Sequence, residues 1–175
     1  LGPAFGLLVP LRPAQLLWTN LLTHGLVGVA LGAGPADPAR MREPPRPPAE
    51  SVLGAGLWQR IAIAAAVVFA ASLGAALSVG GDSASWQVAL FLTLGASQLA
   101  VALAVRAPRQ RLTQDPWLFL AVLGAAVLLF GAVALAPLRE ILDLGAFAGE
   151  GLLVSVVGAL TSYVVVRVLL RRWMT

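Results

Sequence analysis

Three of the polar residues that interrupt the apolar run 15–33 have types and spacing suited to chemistry: Asn20, Thr23 and His24. At i, i+3 and i+4 they place an amide, a hydroxyl and an imidazole on one face of a helix, while Trp18, Leu22 and Val29 point elsewhere. Gly25, Gly28 and Gly32 follow, so the helix is free to unwind locally and offer backbone carbonyls as further oxygen ligands. Such a set can bind a dehydrated cation. The same groups also serve as hydrogen-bonding glue between membrane helices. A second set, Thr93, Ser97 and Gln98, combines two hydroxyls at i, i+4 with a neutral amide and admits both readings, cation shell or packing. Ser155, Gly158 and Ser162, like Gly124 and Gly131, form small-residue stripes that let helices approach closely.

The elements that carry these residues must lie in a bilayer. Of 175 residues, 59% are hydrophobic and 11% charged, whereas a water-soluble domain is about one quarter charged. A spanning helix needs about 20 mostly apolar residues. That arithmetic gives an all-α membrane protein with about five transmembrane helices, near 15–33, 57–79, 86–105, 117–138 and 151–170, plus the tail of a preceding helix in residues 1–9. No carboxylate lies at bilayer depth in any span, which argues against a self-sufficient site for a hard cation. The chain has no Cys and one His, so thiolate chemistry is excluded and one imidazole cannot by itself build a zinc site. It has no Lys either, and a Walker A loop or a Schiff base would need one. Its 12 basic residues, all Arg, are scattered in short clusters, unlike a nucleic-acid-binding face. The start at Leu1, with no Met and no basic leader, reads as a fragment or a processed product.

Orientation follows from those arginines, because positive charge is retained on the cytoplasmic side. Arg40, Arg42, Arg46, Arg60, Arg106, Arg109, Arg111, Arg167, Arg171 and Arg172 fall at one face. The other holds Arg12 and Arg139 together with Asp82, Glu140, Asp143 and Glu150. The first span therefore runs inward and the C-terminus is cytoplasmic. Trp58, Trp86, Trp117 and Trp173 fall at span ends, where indoles prefer the headgroup region. The loop 34–56 contains Pro35, Pro38, Pro44, Pro45, Pro47 and Pro48 and reads as a semi-rigid cytoplasmic connector. The Arg-only, Ala- and Gly-rich composition points to a bacterial plasma membrane.

The run Pro10-Leu-Arg-Pro-Ala-Gln-Leu-Leu-Trp-Thr-Asn-Leu-Leu-Thr-His-Gly, with Gly-Ala-Gly-Pro-Ala-Asp-Pro-Ala-Arg-Met-Arg-Glu-Pro-Pro-Arg-Pro-Pro after it, closely resembles the sixth membrane helix and following cytoplasmic loop of P-type cation-transporting ATPases of the calcium-pump-like subfamily. Phe91-Leu-Thr-Leu, Ser97-Gln-Leu, Pro116-Trp-Leu and Pro137-Leu-Arg-Glu extend the similarity over essentially the whole chain. The resemblance implies that the five spans are helices six to ten, the C-terminal membrane portion of an ATP-driven cation translocase. It also implies that Asn20, Thr23 and His24 occupy the positions of an Asn, a Thr and an Asp that bind the transported cation, and that Gln98 occupies a contributing position in the eighth helix. His24 in place of the carboxylate points to another metal, to proton coupling, or to altered or lost transport. Catalytic residues and cofactors are expected to be absent from this chain. ATP and magnesium are implied for the parent pump, whose N-terminal membrane helices and cytoplasmic ATPase domains would be its partners along with the lipid bilayer and the cation. The alternative is a free-standing, pump-derived membrane protein with a regulatory or scaffolding role and no transport of its own.

Overall fold

A computed structural model describes residues 11–34, 47, 54, 56–79, 83–105, 116–145 and 149–172. The expected helix tail 1–9, nearly all of the proline-rich connector, Arg106, Arg109, Arg111 and Trp173 lie outside the described residues. The described residues form an all-helical membrane protein with no strand among them. Four helices are long and apolar enough to cross a bilayer: α3 (Leu57–Ser78), α4 (Ser83–Val105), α5 (Pro116–Ala134) and α7 (Gly149–Arg172). The 22 residues of α3 rise about 33 Å at 1.5 Å each, close to the hydrocarbon thickness. The first span is a helix in three pieces, α1 (Pro13–Asn20), a π-helical turn over Leu21–Leu26, and α2 (Val27–Gly32).

Proline chemistry sets two boundaries. Pro13 opens α1, where its missing N–H costs nothing. Pro137 ends the fourth long span early: α5 stops at Ala134, Leu135 turns extended, and a short helix α6 (Ala136–Ile141) begins with Pro137 in its first turn. A helix running on to residue 138 would need Pro137 to donate a hydrogen bond it cannot make. Gly56 precedes α3 at φ 75, left-handed backbone that favours glycine. Trp58, Trp86 and Trp117 each lie within the first four residues of a long helix.

α4 is the hub. Of its span 56% is buried, against 22%, 33% and 17% for α3, α5 and α7. On one flank it packs against α5 and the first span through Phe91, Leu92, Ala96 and Leu99, which meet Leu22, Val27, Ala125 and Leu129. On the other flank it packs against α7 and α3, which also touch one another. Thr93 donates to Ser155 Oγ at 3.1 Å and Arg167 donates to the Ala104 carbonyl at 2.9 Å, so α4 and α7 run in the same direction. Gly158 permits this closeness: a Cβ there would lie 2.6 Å from Thr93 Cγ2. The stripe of Ser155, Gly158 and Ser162 is packing surface, with both serines fully buried and donating to carbonyls one turn back, those of Gly151 and Gly158.

The first span is fastened at its start. Gln15 is fully buried, its Oε1 accepts the Arg12 N–H at 3.0 Å, and its Nε2 reaches the carbonyls of Leu142 at 3.0 Å and Asp143 at 3.3 Å. Arg12 is ion-paired with Asp143. Asp143 sits at φ 51 because it closes α6 with a Schellman motif, in which Leu144 N–H donates to Arg139 O and Asp143 N–H to Glu140 O. Its exposed carbonyl and carboxylate then receive Gln15 and Arg12. Gln15→Leu leaves two carbonyls without their donor, so we expect a loss of about 1–3 kcal/mol, read as a lower thermal midpoint in lipid nanodiscs, while Gln15→Glu retains the bond to Arg12 N but not the donors.

Candidate cation-binding face

The three polar residues of the first span fall at its break. Asn20 is the last residue of α1, and Thr23 and His24 lie inside the π-helical turn. The hydroxyls explain where the helix widens. Thr19 Oγ1 donates to Gln15 O at 3.0 Å and Thr23 Oγ1 to Thr19 O at 2.9 Å, so side chains compete for carbonyls of the helical ladder. Just beyond them, Val27 N–H reaches back to Leu22 O, five residues away. Of the three glycines expected to loosen the helix, only Gly25 lies in the turn; Gly28 and Gly32 are in regular α2. Wide turns of this kind recur at functional sites.

Asn20 and His24 are exposed and Thr23 is half-buried. Thr23 and His24 meet directly, Oγ1 to Nδ1 at 2.8 Å. The exposed face is the one that neither α4 nor α5 covers, and polar groups at membrane depth ordinarily face a protein interior or a cavity. Gln98 lies on α4, which packs against the other side of the first span, so the structure does not bring it to the exposed face of Asn20 and His24. Its Oε1 is buried without a hydrogen-bond partner among the described residues, as is Ser97 Oγ beside it. Thr93, by contrast, is engaged with Ser155. Among the described residues no three His, Cys, Asp or Glu side chains gather as a metal-binding group. On the described first span the polar groups are one imidazole and neutral oxygens.

The sequence did not single out Gln15, Arg12 and Asp143 as a functional unit, although they fix the position of the polar face. Gln15 carried the one available signal: a long amide at the very start of an apolar run.

The described residues thus form four apolar helices long enough to cross a membrane and an N-terminal helix with a π-helical turn beside exposed polar groups. The family of the cation transporting ATPase C-terminus matches residues 8–173. The chain belongs to that family and is the C-terminal membrane part of a cation-transporting ATPase, which implies contact with membrane lipid and with the rest of the pump.

Proposed function

We propose that this chain supplies helices six to ten of an ATP-driven cation pump related to the calcium-pump-like subfamily, and contributes part of its intramembrane cation site through Asn20, Thr23, His24 and Gln98. The observation that carries this reading is the exposure of Asn20 and His24 at a π-helical break on an uncovered face. Apolar helices of the same pump would close over that face and bring the carboxylates that the spans here lack. The Gln98 oxygen, without a partner among the described residues, is a ready acceptor for a cation or its water. ATP and magnesium act in cytoplasmic domains of the parent pump, and the connector 34–56 couples to those domains. The host membrane is a bacterial plasma membrane with the C-terminus inside.

Two experiments test this. In the complete pump, Asn20→Ala and Gln98→Leu are expected to raise the cation concentration for half-maximal phosphoenzyme formation by roughly tenfold, the loss of about 1.4 kcal/mol of binding. Unchanged cation dependence with merely altered thermal stability would return both residues to a packing role. For orientation, a Cys introduced at Ala39 in a Cys-free background is expected to resist membrane-impermeant maleimide in intact cells and to react after permeabilisation. Labelling from outside would invert the topology.

A further inference from the structure

Thr23 Oγ1 has two short contacts and a single proton to share between them. It lies 2.9 Å from the Thr19 carbonyl and 2.8 Å from His24 Nδ1. A carbonyl oxygen only accepts, so the hydroxyl proton must point at Thr19 O. The contact with Nδ1 then needs a proton of its own, and the imidazole must supply it. We propose that Thr23 fixes His24 in its Nδ1–H tautomer, so that Nε2 presents a bare nitrogen lone pair on the uncovered face as a ligand for a first-row transition-metal dication. This rests on the cation-site reading above and names the class of ion that the site takes.

The geometry is that of an outer partner orienting a metal-binding histidine. Such histidines donate their other ring N–H to an acceptor, which sets the tautomer and the ring direction. Here the acceptor is itself locked, because the Thr23 hydroxyl is held by a backbone carbonyl. His24 is exposed in this chain, so Nε2 remains open to a ligand arriving between this span and its neighbours in the pump. Imidazole suits zinc, iron, nickel and copper, whereas calcium takes six to eight oxygen ligands. The spans supply no carboxylate and the described residues hold no acidic cluster, so hard-cation ligation has little support from this side of the site. Thr23 is accordingly a positioning residue, acting through His24.

The test uses the complete pump labelled with 15N-histidine and reconstituted in nanodiscs, with zinc and calcium as probes. The resonances lost on His24→Gln identify those of His24. They are expected to show a protonated Nδ1 and an unprotonated Nε2, with Nε2 shifting when zinc is added and not when calcium is added. Thr23→Val is expected to mix the tautomers and to weaken zinc-dependent phosphoenzyme formation by about 10–100-fold, the usual loss when an outer partner of a metal ligand is removed. Thr23→Ser, which keeps the hydroxyl, should restore both. An Nε2–H tautomer, or a zinc response untouched by Thr23→Val, would overturn the proposal. If Asn20→Ala still raises the half-maximal cation concentration in that event, the site stands and only its nitrogen ligation falls. If Asn20→Ala is also silent, the site reading falls with it.

Discussion

Gly158→Leu is expected to prevent the α4–α7 contact from forming. A Cβ at this position already lies 2.6 Å from Thr93 Cγ2, with Ala71 Cβ at 3.8 Å and Ala71 O at 3.9 Å closing the other side. Thr93 has no easy escape. It is β-branched and stiff about χ1, it is fully buried, and rotating it to make room would break its bond to Ser155 Oγ. Gly158→Ala should therefore cost about 1–3 kcal/mol from overpacking, and the larger leucine should lower the yield of folded, monodisperse protein in detergent. Gly95 is a useful contrast. Its added Cβ would meet Leu129 Cδ1 at 2.7 Å and Cδ2 at 2.8 Å, the far end of a flexible side chain, so Gly95→Ala is expected to be milder. Gly124→Ala, with Leu26 Cδ2 at 3.9 Å as its nearest neighbour, should fall within about 0.5 kcal/mol of the parent protein. Thermal unfolding of the three alanine variants checks the order. Equal midpoints would mean that α4 and α7 are not held together at Gly158.

The sequence makes the long helices legible because each long apolar run has essentially one stable state in a bilayer, a helix with its own hydrogen bonds satisfied. The helix at 57–78 ends within a residue of where hydropathy places it. Hydropathy overran at residue 138, where it weighs the apolar Leu135, Ala136 and Leu138 and is blind to the missing N–H of Pro137. The polar residues of the first span were equally visible, since Asn20, Thr23 and His24 interrupt an apolar run. The helix geometry between them was not: 3.6 residues per turn gives way to a π-helical turn over Leu21–Leu26, which no apolar pattern announces. The Gln15 latch was the least legible feature. Leu142 and Asp143 stand 127 and 128 residues away in the chain, and they present bare carbonyls only because Asp143 adopts φ 51, which no local pattern in Leu-Asp-Leu announces.

His24→Asp in the complete pump is expected to exchange one kind of cation dependence for another. Aspartate at this position retains the exposed setting on the π-helical turn but replaces a neutral nitrogen donor with two charged oxygens. It also removes the Nδ1–H donor, leaving the Thr23 hydroxyl with its bond to Thr19 O alone. A hard cation gains a carboxylate ligand and a soft one loses its imidazole. Half-maximal activation by calcium should therefore move to roughly tenfold lower concentration, worth about 1.4 kcal/mol, while activation by zinc moves the other way. The opposite signs matter, because a general loss of folding would weaken both responses together. Phosphoenzyme formation titrated with each ion, in the native pump and in His24→Asp and His24→Asn, separates the two outcomes. Asparagine supplies a neutral oxygen and should lose zinc activation without gaining calcium activation. If His24→Asp leaves both titrations where they were, the imidazole does not touch the transported ion, and the exposed face at Asn20 and His24 serves to dock another helix of the pump.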